Sequence, residues 1–282
     1  MIVVEQSILA ALLVLSGQLY VIGARRARLR GRPLRHGTRR GVAFAAALVA
    51  LELALCEPFH RIADQSLAGH MVQHVVLMSF VPPLLVLAAP WMTVWRGIPL
   101  AGRRRLARSV LALPGGFRRS VRAFVSPWPA WLLIAIDLGL WHIPWVYDLT
   151  LRSTPAHYAE HASFLIFGTL FWIPVLDSPP MRGRLTDLRA IGYVIAGTAT
   201  GWVLAVVLAL APSPLYPAYA ALHHRLFGMS ALGDQQVAAG VMLGIGSIPY
   251  AIAVFVYLYH WLDEERPANP PRRRGARAVE LG

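Results

Sequence analysis

Residues 67–90 read LAGHMVQHVVLMSFVPPLLVLAAP, a run with no Asp, Glu, Lys or Arg. About 20 apolar residues carry a helix across the hydrocarbon core of a bilayer, so this run is a predicted membrane span. Pro82-Pro83 predicts a kink or break in its second half, because proline donates no amide hydrogen and clashes with the preceding turn. Six more continuously apolar runs lie at roughly 2–22, 41–56, 129–147, 158–176, 190–211 and 236–260. A transmembrane barrel would alternate apolar and polar residues instead. The expectation is all-α: a polytopic membrane protein whose residues 1–262 form a seven-transmembrane-helix bundle, followed by a basic disordered cytoplasmic tail at 263–282.

Composition agrees. Of 282 residues, 56% are hydrophobic and 15% charged, against about a quarter charged in soluble domains. The net charge of +13 comes entirely from Arg, since none of the 27 basic residues is Lys. Their placement accounts for them without nucleic acid. Eight Arg fall between 25 and 40, eight between 91 and 128, three between 177 and 189 and five after 260; the intervening loops carry only Arg61, Arg152 and Arg225. By the positive-inside rule the N-terminus is outside and the C-terminus cytoplasmic, where anionic lipids attract the Arg. The first run has no basic residue before it and reads as an uncleaved anchor. Trp91, Trp95, Trp128, Trp172 and Trp261 fall at predicted inner boundaries and Trp141 and Trp145 at an outer one. Gly197 and Gly201 have the spacing of a helix-packing stripe. The lone Cys56 excludes an internal disulfide and a multi-cysteine metal knuckle.

With this topology eight of the ten His are on the outer side: His60, His70, His74, His142, His157, His161, His223 and His224. His70 and His74 share one helix face, with Met78 one turn deeper, and His157 and His161 share another. His142 ends the fourth run. Three helices thus bring five imidazoles to similar depth. The third and fifth runs start outside, so their positive helix ends oppose imidazolium and leave lone pairs available. Neutral imidazole is the commonest protein ligand for zinc and copper, and the thioethers of Met71 and Met78 favour Cu(I). Each residue also has a plainer reading: His as an interfacial hydrogen-bonding anchor, Met as packing material, and His60, His223 and His224 as solvated loop residues, the last two also as a place where metal first binds.

Other polar residues are fewer. Glu52 can pair with a His or a bound cation, or reach the interface. Asp137 has no Arg within any span to neutralise it, so it is protonated, hydrogen-bonded or lines a polar path. Asp234-Gln235-Gln236 opens the seventh run, where Asp234 reads as an N-cap and also as a group that orients a ligating His. Glu160 sits between His157 and His161 and can orient either. No phosphate loop, nucleophile elbow or dinucleotide fingerprint is present.

His70-Met-Val-Gln-His74-Val-Val-Leu-Met78 with Pro82-Pro through Pro90 resembles the signature of the seven-helix CtaG-like cytochrome c oxidase assembly proteins. So do Trp141-His142-Ile-Pro144 with Tyr147-Asp148, His157 to His161 running into Phe171-Trp172-Ile-Pro174, and Leu215-Tyr216-Pro217 followed by Asp234-Gln235-Gln236 with Ala239-Gly240. The blocks stand in family order over roughly 65–260. The resemblance implies a bacterial plasma-membrane protein that matures a haem–copper oxidase, with oxidase subunits and the lipid bilayer as partners and copper handled on the outer side. The residues point to copper held by His70, His74, His142, His157 and His161, with Met71, Met78, Glu52, Asp234 and Gln235 as further ligands or supports. Three alternatives stay open: an intramembrane zinc hydrolase built on three His and a carboxylate, a haem carrier with two axial His, and a transporter with Asp137 on its path.

Overall fold

The structure, a computed structural model, describes residues 2–31, 36–176, 178–181, 183, 185–222 and 226–264. Its regular elements are helical. The chain runs through α1 (Ile2–Leu29), α2 (Gly37–Leu55), α3 (Phe59–Gln65), α4 (Leu67–Val75), a π-helical turn (Val76–Phe80) and α5 (Val81–Ala88). It continues through α6 (Pro90–Gly97), α7 (Leu100–Ala112), α8 (Gly115–Phe124), α9 (Pro127–Trp141), α10 (Pro144–Arg152) and α11 (Thr154–Trp172). It ends with α12 (Asp187–Leu210), α13 (Pro217–Ala220), α14 (Ala231–Leu243) and α15 (Ile248–Glu264). The tail expected from 263 lies outside the described residues beyond Glu264, as do His223 and His224.

Four helical stretches are long and apolar enough to cross a membrane: Gln6–Leu29, Leu67–Ala88, Asp187–Leu210 and Ala231–Glu264. Two bent pairs, α2 with α3 (44°) and α9 with α10 (76°), raise the count to six. The outward faces carry large apolar side chains such as Val49, Ile136, Val203 and Phe255, as a lipid-facing surface requires. The run expected at 158–176 falls on α11. That helix has 19 residues, but His157, Glu160 and His161 leave its first half less apolar than those four stretches.

The stretch Leu67–Ala88 is the staff of the bundle. Of its most apolar window 67% is buried inside the protein, against 11–22% in the other three long helices. Helix α4 packs on α3 and α14, while the π-turn and α5 pack on α2 and α11. The double proline does not break the helix. Pro82 and Pro83 donate no amide hydrogens, so the backbone widens one turn earlier and the Val81 N–H reaches back five residues to the Val76 carbonyl. The helix stops at Ala89, whose φ is 45°, and Pro90 opens α6. Gly168 of α11 meets this junction. A Cβ there would lie 2.9 Å from the Met78 carbonyl oxygen and from Pro82 Cγ, so only glycine permits the approach.

Three expectations need correction. The run at 129–147 is not one straight helix: Pro144 cannot continue the ladder, α9 ends at Trp141, and α10 turns away. Gly201 is not a packing glycine, having nothing within 4 Å of a Cβ position, whereas Gly197 sits against Phe171. Trp172 is no boundary anchor, being 1% exposed in the core, while Trp128 and Trp145 are more than 70% exposed.

The opposite end of the bundle is tied by Arg26. Its Nη1 donates to the carbonyls of Arg96, Gly97 and Ile98 at 2.8, 3.0 and 3.2 Å, capping the end of α6. Two of the Arg-rich segments therefore share one end of the molecule.

Candidate metal centre

Helix periodicity puts His70 and His74 on the buried face of α4, their ring centroids 4.4 Å apart. Helix α11 presents Glu160 and His161 to that face. One ligand atom from each of His70, His74, Glu160 and His161 lies within 4.8 Å of the others, and all four residues are buried. Glu160 has no exposed surface; its carboxylate oxygens lie 3.9 Å from His70 Nε2 and 3.5 Å from His74 Nε2.

The hydrogen bonds around the cluster assign the imidazole tautomers. Burial pushes the Tyr219 phenol well above its ordinary range, so it keeps its proton, which it donates to the Ala63 carbonyl at 2.8 Å. Its oxygen is left to accept, so His70 Nδ1 donates to it at 2.9 Å and the Nε2 lone pair faces the cluster. His142 Nδ1 donates to the Leu138 carbonyl at 2.8 Å, which again leaves Nε2 as a lone pair. Neither His70 Nε2, His142 Nε2, either nitrogen of His74 nor either oxygen of Glu160 has a hydrogen-bond partner. Buried polar atoms are normally satisfied. Buried lone pairs that converge, with one ring fixed from behind by a hydroxyl and another by a carbonyl, are the kind of arrangement that can ligate a cation.

Of the residues expected to ligate, His70, His74 and His161 meet. His142, the residue that follows α9, stands beside them, its ring 6.0 Å from His74. His157 lies one step further out, with Nε2 3.0 Å from His161 Nε2. Met71 is fully buried and lines a small cavity with His74, Met78 and His142. Glu52 is not in the cluster; its side chain lies beside Cys56. Gln235 bonds the Leu208 carbonyl and the Leu215 amide, holding the loop after α12 rather than a ligand.

Two residues do more than their local sequence suggested. Glu160 contributes the cluster's only carboxylate rather than merely orienting a neighbour. Asp234 does not cap its own helix: Ser230 does, accepting from Gly233 N at 3.0 Å. Asp234 instead caps α4, accepting from Ser66 Oγ at 2.7 Å, Leu67 N at 2.8 Å and Ala68 N at 3.0 Å. It thereby fixes the turn that carries His70. Gln73 holds the same helix on its other side, donating to the Ala54 carbonyl at 2.6 Å.

Asp137 is hydrogen-bonded rather than set on an open path. Trp141 Nε1 donates to it at 2.9 Å and to Ser163 Oγ at 2.8 Å, and the carboxylate is 5% exposed. Tyr147, Tyr216 and Phe164, each at most 1% exposed, wall the cluster. Tyr147 is there because of the bend after α9: its ring lies 5.4 Å from His70 and 6.2 Å from His142.

The chain is similar to the uncharacterized protein ML1998 of Mycobacterium leprae, 23% identical over 260 residues, which are 92% of this chain and 39% of that protein. It is likewise similar to the uncharacterized protein Mb0105 of Mycobacterium bovis, 23% identical over 198 residues, 70% of this chain and 30% of that one. It therefore spans only 30% to 39% of the length of these curated relatives. No solved structure matches it. The family model described as cytochrome c oxidase caa3 assembly factor (Caa3_CtaG) matches residues 18–264. A match over that much of a chain whose described residues form helices, several of them long and apolar enough to cross a membrane, is decisive: the chain belongs to the cytochrome c oxidase caa3 assembly factor family.

Proposed function

We propose that this protein is a multi-pass protein of the bacterial plasma membrane that binds copper at the outer end of its bundle and hands it to a subunit of a caa3-type oxidase during assembly. Helix α11 is the seventh span in this reading: its polar residues Glu160 and His161 face the protein, while Ile166, 54% exposed, faces lipid. The arginine distribution supports an outside N-terminus and a cytoplasmic C-terminus.

The observation that carries the reading is the convergence of unpartnered buried atoms from His70, His74 and Glu160, with His161 beside them. Imidazole suits copper, and the thioethers of Met71 and Met78 nearby favour its monovalent form. A bound copper ion would supply the charge that Glu160 lacks. The chain's own part is to aim imidazole lone pairs at the ion, with His70 held from behind by Tyr219, and to exclude water with Tyr147 and Phe164. A carboxylate among the donors also suits zinc, the one specific observation for the second reading, a zinc site.

The test is the metal content of detergent-purified protein loaded separately with Cu(I) and Zn(II), wild type beside His70→Ala/His74→Ala. Stoichiometric copper that the double variant loses is the expected result. Zinc retained where copper is not would move the assignment to zinc. Neither metal in the wild type would refute the site.

A further inference from the structure

The cluster is buried, yet an assembly factor must load and release its ion. The route is not evident from the four residues themselves, since His70, His74, Glu160 and His161 are all at most 8% exposed. One side of the cluster differs. His161 Nε2 is in contact with His157 Nε2 at 3.0 Å, and the two rings lie 4.2 Å apart. The His157 ring stacks on His60 of α3 at 5.8 Å, the planes inclined by 19°. His157 and His60 are partly exposed. A cavity of about 370 Å³ opens along this line, with His60, His157 and His161 on one wall and Gln6, Leu9 and Leu12 of α1 on the other. The amide nitrogen of Gln6 is buried there without a partner.

We infer that His60, His157 and His161 form a loading path along which a metal ion passes from the outer surface to the buried site, with the first half of α1 as its outer wall. The inference rests on the reading of the cluster as a metal site. Three imidazoles at successive depth offer one exchangeable nitrogen donor after another, so an ion can gain each new ligand before losing the last. The 3.0 Å contact between His157 and His161 is a hydrogen bond in which one Nε2 donates and the other accepts. An ion arriving at the accepting lone pair displaces that bond without removing a proton. An ion arriving at the other ring requires its hydrogen to sit on Nδ1. The oxidation state of the metal does not change in either step. His60 contacts none of the four cluster residues through a ring pair, so it serves transit rather than retention.

The experiment measures the rate and the extent of loading separately. Full-length protein in detergent takes Cu(I) from its coloured bicinchoninate complex, and loss of colour is followed by stopped flow. Wild type is compared with His60→Ala, His60→Gln and Leu9→Trp, the last filling the cavity without removing a donor. The expected result is final copper content equal to wild type in all three, reached about tenfold or more slowly, the range in which supporting groups act at metal sites. Wild-type rates in both His60→Ala and Leu9→Trp, with full final occupancy, would overturn the path and leave the metal site standing. Loss of final occupancy in His60→Ala and His60→Gln would also overturn it, because His60 would then be a ligand. No copper bound by the wild type would overturn the path and the site together.

Discussion

Replacing Asp234 should loosen a helix whose first residue, Leu67, lies 167 positions earlier in the chain. Its carboxylate accepts from the Leu67 and Ala68 amides and from the Ser66 hydroxyl. Leu67 and Ala68 are 1% and 8% exposed, so water does not replace the lost acceptor. An orphaned buried donor costs about 1–3 kcal/mol. Two amides therefore set Asp234→Ala at about 4 kcal/mol; the Ser66 hydroxyl, free to rotate, adds little. Asp234→Asn keeps one acceptor oxygen but puts an NH2 group against the other donor, which sets it near 2 kcal/mol. Because His70 sits on the turn being capped, metal affinity should fall with stability, about 10–100-fold for a group that supports a ligand from behind. The assay is unfolding by SDS titration in mixed micelles, followed by helical circular dichroism, with chelator competition on the same preparations. The expected order of stability is Asp, then Asn, then Ala. An Asp234→Ala protein within about 0.5 kcal/mol of wild type, the level of an ordinary surface substitution, would refute the cap and the dependence of His70 on it.

The other predictions concern the cluster and its scaffold. Glu160→Gln should raise the thermal stability of chelator-treated protein, because it removes a buried carboxylate with no hydrogen-bond partner, and should shrink the stabilisation that added metal gives; melts with and without metal read both. Tyr219→Phe keeps the ring but removes the acceptor of His70 Nδ1, so metal affinity should fall about 10–100-fold while the helical spectrum is unchanged. Gly168→Leu should destabilise by at least about 1–3 kcal/mol, the usual range for overpacking, since its Cβ already reaches the Met78 carbonyl and Pro82; SDS titration reads it, and Gly168→Ala should fall between.

How much of this was legible in the sequence depends on distance along the chain. The pairs His70/His74 and His157/His161 were readable because four residues on a helix always share a face. That the two faces meet was an expectation only, because nothing in either segment encodes how α11 crosses α4; glycine at 168 was the silent condition for it. Pro144 marked the end of α9, but a count of apolar residues runs through it, so the bend that brings Tyr147 over the His was invisible. Asp234 looked like a local cap because Asp at the start of a helix usually is one, and the competing Ser230 four residues earlier was the available signal. The role of Glu160 is hard to read from sequence for a related reason. A carboxylate between two His suggests a group that orients them, and only its complete burial shows that it must itself be neutralised.

That need for neutralisation also bears on which ion the proposed site holds. The cluster offers one carboxylate, and the tautomers assigned to His70 and His142 present neutral lone pairs. A monovalent ion beside Glu160 leaves a buried site with no net charge. A divalent ion leaves an excess positive charge with no further carboxylate in the cluster to take it up; Asp137 is already engaged with Trp141. Uncompensated charge in a low-dielectric interior is expensive, so a divalent ion would have to ionise a bound water or shed a proton from an imidazole, and its binding would strengthen steeply as pH rises. Monovalent copper would need neither, and its affinity should be nearly flat across the same range once the rings are neutral. The pH dependence of affinity for Cu(I) and Zn(II) on one preparation thus tests the charge argument independently of which metal the purified protein happens to carry. A steep dependence for Cu(I) would show that a proton, not the metal, neutralises Glu160 in the metal-free protein.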